Sequence, residues 1–215
     1  MSLRPTSSQA EQRASMRREL LIRLLAPLAT ITMSYIPLEF VHEHDEDKNG
    51  IIHCMMMHPQ HIIKVTTSQL GWNSIAAERV LDHTTSVPKP IHNLESVCII
   101  RGSAKILPWM QFDFSEKITI QPTSYTVRHD GGNFQLYNWQ FEGSNDAIAW
   151  TTIRRHVEDD TFPARAGVLH KIHTFHNLDQ HDFYRYLRIQ TTGYCFQNVD
   201  TFAIRCFEVY GNVAS

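Results

Sequence analysis

The chain has 215 residues, 42% of them hydrophobic and 10% aromatic, which is enough apolar material for one sizeable core and argues against wholesale disorder. Its 20 basic and 22 acidic residues leave a formal charge of −2, so composition offers no concentrated basic face for nonspecific nucleic-acid binding. The most apolar run, Leu20-Leu-Ile-Arg-Leu-Leu-Ala-Pro-Leu-Ala-Thr-Ile-Thr-Met, is interrupted by Arg23 and Pro27 and is too short to span a bilayer well.

In chain order, residues 1–10 read as a polar tail and 11–25 as an amphipathic helix. Met16, Leu20, Leu21, Leu24 and Leu25 share one face, Arg13, Arg17 and Arg18 gather elsewhere, and Pro27 ends or kinks the pattern. Such a helix either lies on the rest of the protein or serves as a handle for a protein partner. A boundary after residue 34 separates this segment from a single domain over 35–215. Residues 35–41 read as a strand, and His42-Glu-His-Asp-Glu-Asp-Lys-Asn-Gly as a polar hairpin turn. Ile51-Ile-His-Cys-Met-Met-Met is a second apolar run, completing an opening strand pair. Asp45, Asp47 and Gly50 imitate a calcium loop, but the twelfth position is Met56 where a bidentate Glu is needed.

His61-Ile-Ile-Lys-Val-Thr-Thr-Ser opens a series of short strands separated by turn residues. The clearest part is 106–150. Trp109-Met-Gln-Phe-Asp-Phe and Ile118-Thr-Ile alternate, Pro122-Thr-Ser breaks the pattern, and Tyr125-Thr-Val-Arg-His resumes it. Asp130-Gly-Gly-Asn is a turn, and Trp139-Gln-Phe-Glu-Gly-Ser leads to Trp150. Later strands follow at 168–175, 184–190 and 202–211. Period-two alternation with a turn every eight to twelve residues predicts an all-β sandwich. Trp109, Phe112, Phe114, Tyr125, Val127, Trp139, Phe141 and Trp150 are its expected core. Arg128 and Arg188 interrupt the apolar alternation and read as structural arginines bonded to loop carbonyls.

These segments, in this order, resemble the discoidin (coagulation-factor C-type) family, with its galactose-binding-like jelly roll. More narrowly they are similar to the branch found in BTB-domain proteins, HECT-type ubiquitin ligases and the Doc subunit of the anaphase-promoting complex. The resemblance covers about 62–211. It departs from the family at Cys54-Met-Met-Met-His, where relatives carry a Gly-Thr pair. In some extracellular relatives a late-strand glutamate, here Glu208, helps hold a calcium ion, which the intracellular branch generally lacks.

No motif for catalysis, phosphate binding or metal ligation is present. There is no Gly-x-Ser-x-Gly, no His-Glu-x-x-His and no Cys-x-x-Cys, and Glu158, Asp159 and Asp160 lie adjacent in one loop. The expectation is a non-enzyme with no cofactor and no metal. Cys54, Cys98, Cys195 and Cys206 are far apart, and with no signal peptide apparent they read as reduced thiols of a cytoplasmic or nuclear protein. Thirteen histidines raise the prospect of charge that responds to pH near neutrality.

Function then falls to loops at one end of the sandwich. The candidate ligand contacts are His83, His92, His129, Asn133, Phe134, His176, Asn177, Tyr194, Phe196 and Gln197. The resemblance and the reduced thiols favour recognition of a peptide or protein surface in a ubiquitin-related assembly. The alternative is a lectin-like glycan site, for which Phe134, Tyr194 and Phe196 are the candidate aromatic platforms. Lipid binding is the weakest reading, because the 82–93 loop has only Val87 and Ile91 as apolar spikes.

Overall fold

A computed structural model of the chain describes residues 38–43, 48–57, 62–71, 74–81, 98–103, 106–129, 134–161, 172–179, 182–193 and 200–215. The expected 11–25 helix lies outside them. Among the described residues, the alternating segments become strands β1 (Leu38–Phe40), β2 (Lys64–Thr67), β3 (Cys98–Arg101), β4 (Trp109–Asp113), β5 (Thr119–Arg128) and β6 (Trp139–Ser144). They continue as β7 (Thr151–His156), β8 (Ile172–Phe175), β9 (Tyr186–Thr191), β10 (Thr201–Ile204) and β11 (Cys206–Ala214). One short helix, α1, spans Ile51–Met56, and a 3₁₀ turn covers Ala77–Leu81.

Two antiparallel sheets face each other, ordered β1-β11-β5-β8 and β2-β4-β9-β6-β7, with β10 and β3 as a separate pair. Their inner faces meet through aromatic rings. Phe112 stacks on Phe207 across the sandwich at 4.5 Å between centroids, and Tyr125 packs on Phe141 at 4.3 Å. Phe112, Phe114, Tyr125, Val127, Trp139 and Phe141 are all fully buried, as alternation predicts. Each such aromatic contributes about 1.5–3 kcal/mol relative to exposure.

Trp109 and Trp150 depart from that expectation: both are only half-buried. In β4 the pattern of burial gives the core to Met110 and Phe112. A side chain an odd number of positions from Phe112 must point out of the other face, so Trp109 cannot share its side. Trp150 precedes β7 and lies under the Arg188 guanidinium, 3.9 Å from its ring centroid. Arg188 itself bonds not to a loop carbonyl but to the Glu142 carboxylate, through Nε at 2.7 Å. Arg128 is half-buried and stands opposite Cys206 and Ile172.

The expected break at Pro122 is absent, since β5 runs through it for ten residues. Tyr210 pairs with Ser124 and Gly211 with Pro122, so Thr123 is bulged out of the ladder. Pro122 has no N–H to lose there. Gly211 sits at φ +141, where a Cβ would lie 2.1 Å from the Gln121 oxygen. The freed Thr123 carbonyl accepts the Leu178 N–H at 3.1 Å and anchors the loop after β8.

The second strand of the expected opening pair is instead helix α1. Its cause is Glu208, buried on the outer face of β11. Oε1 accepts the Ile52 N–H (2.8 Å) and the Val209 N–H (2.9 Å), and Oε2 accepts the His53 N–H (3.0 Å). A carboxylate at the first helical N–H groups satisfies donors that no residue of the helix can, and complements its dipole. The N-cap, Gly50, offers no side chain, and a Cβ there would meet Glu208 Cδ at 2.0 Å. Both Glu208 oxygens are thus engaged by backbone donors.

Candidate ligand-binding end

Strand pairing fixes which loops share an end. Trp109 pairs with Gln190, and Trp139 with both Thr191 and His156, so one end of the five-stranded sheet carries the start of β4 and β6 and the finish of β9 and β7. The Tyr125 hydroxyl reaches His156, which puts the Arg128 end of β5 there too. The described residues at this end are 68–71, 74–76, 102–103, 106–108, 129, 134–138, 157–161 and 192–193.

Hydrogen bonds lace these segments together. Ser68 Oγ donates to the Arg101 carbonyl (2.8 Å) and accepts the Trp109 N–H (3.1 Å). The Arg101 N–H donates to the Gln69 carbonyl (2.8 Å), and the Gly102 N–H to that of Asp200 (2.9 Å). Thr192 N–H reaches the Asn138 carbonyl (2.9 Å), while Asn138 Oδ1 accepts the Glu158 N–H (3.0 Å). On this frame stand exposed apolar side chains. Leu70, bridged to Ile100, is 42% exposed; Ile106, bridged to Ser103, is 54% exposed, and Leu107 beside it 40%. Arg101, at the end of β3, is exposed, and Trp109, at the start of β4, is half-buried. Exposed apolar side chains suit a complementary surface, because association removes them from water.

The sequence-derived candidates divide between the two ends. His129 and Phe134 lie at the laced end. His129 is buried and donates from Nε2 to the Phe134 carbonyl (3.0 Å); the Phe134 ring packs on Ile99 and Ala203. Both shape the end from beneath. His176 and Asn177 are exposed but leave β8 toward the opposite end, since Phe175 pairs with Tyr125 and the following loop returns to Tyr184 opposite Ile120. His176 approaches His42, with ring centroids 5.0 Å apart, and its carbonyl accepts from Arg154 Nη1 at 3.0 Å. His83, His92, Asn133, Tyr194, Phe196 and Gln197 lie outside the described residues.

Sequence reasoning missed Leu70, Arg101, Ile106 and Leu107. A signal was present: Ile106 and Leu107 are consecutive apolar residues just before Pro108, where no strand face remains to bury both. Among the described residues, no three His, Cys, Asp or Glu side chains gather closely enough to hold a metal ion. Cys54, Cys98 and Cys206 are buried, and burial pushes the Cys98 thiol up to about 11, which leaves it unreactive near neutrality. No described helix is long and apolar enough to cross a membrane.

Comparison with known proteins adds curated relatives, solved structures and a family match. The chain is 26% identical to the E3 ubiquitin-protein ligase Ufd4 of Drosophila melanogaster over 189 residues, which is 81% of this chain and 6% of that protein. It is 37% identical to a BTB/POZ domain-containing protein of Arabidopsis thaliana over 62 residues, 29% of this chain and 8% of the relative. Among solved structures it is similar to a carbohydrate-binding module of Clostridium perfringens determined with GalNAc-β-1,3-galactose, at a TM-score of 0.46 and 10% identity, covering 71% of this chain and 95% of that one. The family 32 module of Clostridium perfringens NanJ, determined with galactose, gives 0.45 and 14%, covering 69% and 93%. Residues 63–206 match the F5/8 type C domain.

Proposed function

Because the chain belongs to the F5/8 type C domain family, we propose that it is a non-catalytic module that recognises a protein or peptide surface through its laced loop end. The observation that carries this reading is that Leu70, Ile106 and Leu107 are exposed apolar residues at the same end as exposed Arg101. Interface cores are apolar patches with an arginine or aromatic anchor, and this end carries both Arg101 and Trp109. A ubiquitin-related assembly is the setting we favour, supported by the likeness of most of the chain to a segment of Ufd4. The cytoplasm or nucleus is the compartment consistent with that setting.

The test is affinity capture from native lysate with the intact chain and with Leu70→Asp/Ile106→Asp. Recovery of ubiquitin-ligase subunits, lost by more than about tenfold in the double variant, supports the reading; a tenfold loss corresponds to about 1.4 kcal/mol. Equal recovery by both proteins would sink it. Glycan recognition is the second reading, favoured by the half-buried Trp109 ring with Gln111 and Gln190 on the same open sheet face. Trp109→Ala on a glycan array, with and without loss of signal, decides that alternative.

A further inference from the structure

The end of the sandwich opposite the laced loops carries a turn with an apolar tip. β4 runs from Trp109 to Asp113 and β6 from Trp139 to Ser144, both away from the laced end, so the β6–β7 turn at 145–150 stands at the far end. Its own side chains define its shape. Ser144 Oγ accepts the Asp146 N–H (3.3 Å) and the Ala147 N–H (3.0 Å), and donates to Asp146 Oδ1 (3.0 Å). The same Oδ1 accepts the Ile148 and Ala149 N–H groups, each at 2.8 Å. Asn145 ties the turn to the segment before β9: Nδ2 donates to the Phe183 carbonyl (3.0 Å), and Oδ1 accepts the Arg185 N–H (2.9 Å). Ile148 stands on this frame at 85% exposure, the highest of any large hydrophobic residue among those described.

Such a tip suits an apolar surface, and the chain carries one at its other end. There Leu70 pairs with Ile100, and the Arg101 N–H donates to the Gln69 carbonyl, so Leu70 and Arg101 leave neighbouring points of one short ladder. Ser103, two residues on, pairs with Ile106, which Leu107 follows. The charges match as well. Arg101 is exposed, and among the described residues no carboxylate pairs with its guanidinium. Asp146, two residues from Ile148, is also exposed. The Ile148 and Ala149 N–H groups hold its carboxyl below the ordinary value, so it is ionised at neutral pH. All three of its bonds fall on Oδ1, and Oδ2 meets no donor among the described residues. One end thus offers an exposed isoleucine beside a carboxylate, and the other exposed aliphatic residues beside a guanidinium.

We propose that copies of this chain associate head to tail, the β6–β7 turn of one protomer seated on the laced end of the next. Ile148 then packs against Leu70, Ile106 and Leu107, and Asp146 pairs with Arg101. Removing the apolar side chains from water supplies the attraction, and the charge pair selects the orientation. The two surfaces differ and lie at opposite ends of the sandwich, so the contact is heterologous. A protomer bound through one end keeps the other open, and association continues into a filament unless its rotation closes a ring. In naming an occupant for the laced end, this inference rests on the binding reading; the turn is no part of that reading.

The test is sedimentation velocity of the intact chain across a concentration series, beside Ile148→Asp and Ile106→Asp. The unmodified chain should grow with concentration past the mass of a dimer. Each variant alone should associate more than about tenfold more weakly, the loss expected when an apolar anchor becomes a charge. An equal mixture of the two should give a dimer and nothing larger, because Ile148→Asp keeps a working laced end and Ile106→Asp a working turn. Arg101→Glu, which sets like charges face to face, should weaken assembly by about tenfold. Monomers of the unmodified chain at every concentration overturn the proposal. So does an Ile148→Asp variant that assembles like the unmodified chain, or a mixture that forms no dimer. Should Ile148→Asp fail to fold, Ile148→Ser takes its place, and the series on the unmodified chain still decides. Capture of ligase subunits by a chain that stays monomeric would sink head-to-tail assembly and leave the binding reading standing.

Discussion

Glu208 and Glu142 are the same problem solved twice. Each is a carboxylate on the outward face of a central strand, and each is almost wholly buried, at 2% and 4% exposure. Glu208 is covered by main chain, with α1 laid end-on against it and three N–H groups aimed at its oxygens. Glu142 is covered by side chains. Arg188 reaches Oε2 at 2.7 Å, Gln140 donates to Oε1 at 2.6 Å, and Trp150 lies beneath the guanidinium. The first arrangement recruits a distant segment and closes a face. The second draws on neighbours in the same sheet and leaves the face open. A carboxylate held by backbone should be a structural fixture, whereas one held by long side chains should be a tunable surface.

Substitutions can break this contrast. Glu208→Ala should be the most damaging, at about 3–5 kcal/mol in urea unfolding, because buried N–H donors lose their acceptor and α1 loses its dock. Next comes Gly50→Ala at about 1–3 kcal/mol, since Glu208 is tied by its own bonds and has little room to retreat. Full stability in either variant would show that α1 is not held by this carboxylate. Glu142→Ala should cost about 1–2 kcal/mol, and Trp150→Ala about 0.5–1 kcal/mol through loss of the ring under Arg188. The sharpest discriminator is salt. At 1 M, where screening acts over about 3 Å, the cost of Glu142→Ala should shrink while that of Glu208→Ala stays. Equal salt sensitivity would erase the distinction.

What the sequence could disclose follows the range of each interaction. The sandwich was legible because alternation is local: Met110, Phe112 and Phe114 announce one face of β4 within five residues. The same parity placed Trp109 on the other face, but the size of the ring invites its assignment to the core. Helix α1 was illegible for the opposite reason. Ile51-Ile-His-Cys-Met-Met is apolar in the manner of a strand, and the carboxylate that makes it helical stands 156 positions away from Ile52. Pro122 reads as a break until Gly211, on another strand, is seen to supply the bulge. At the loop end, Ile106 and Leu107 were visible as a local anomaly. The Tyr125–His156 contact was not, since the two are separated by 31 positions and meet only when the sheets close.

The edge strand β1 bears on how the domain meets mechanical load. Leu38 pairs with Val213 and Phe40 with Gly211, so the first described strand and the last run antiparallel with residues 38 and 214 emerging side by side. Tension applied across those two points does not shear the ladder, which would load all its hydrogen bonds together. It peels them apart one pair at a time, from Val213 toward Gly211. Once that short zipper is open, the force arrives at the Gly211 bulge, where β11 meets Pro122. Pulled from these points, the domain yields first at its edge strand, while the laced loop end, at the far side of the sandwich, bears force last.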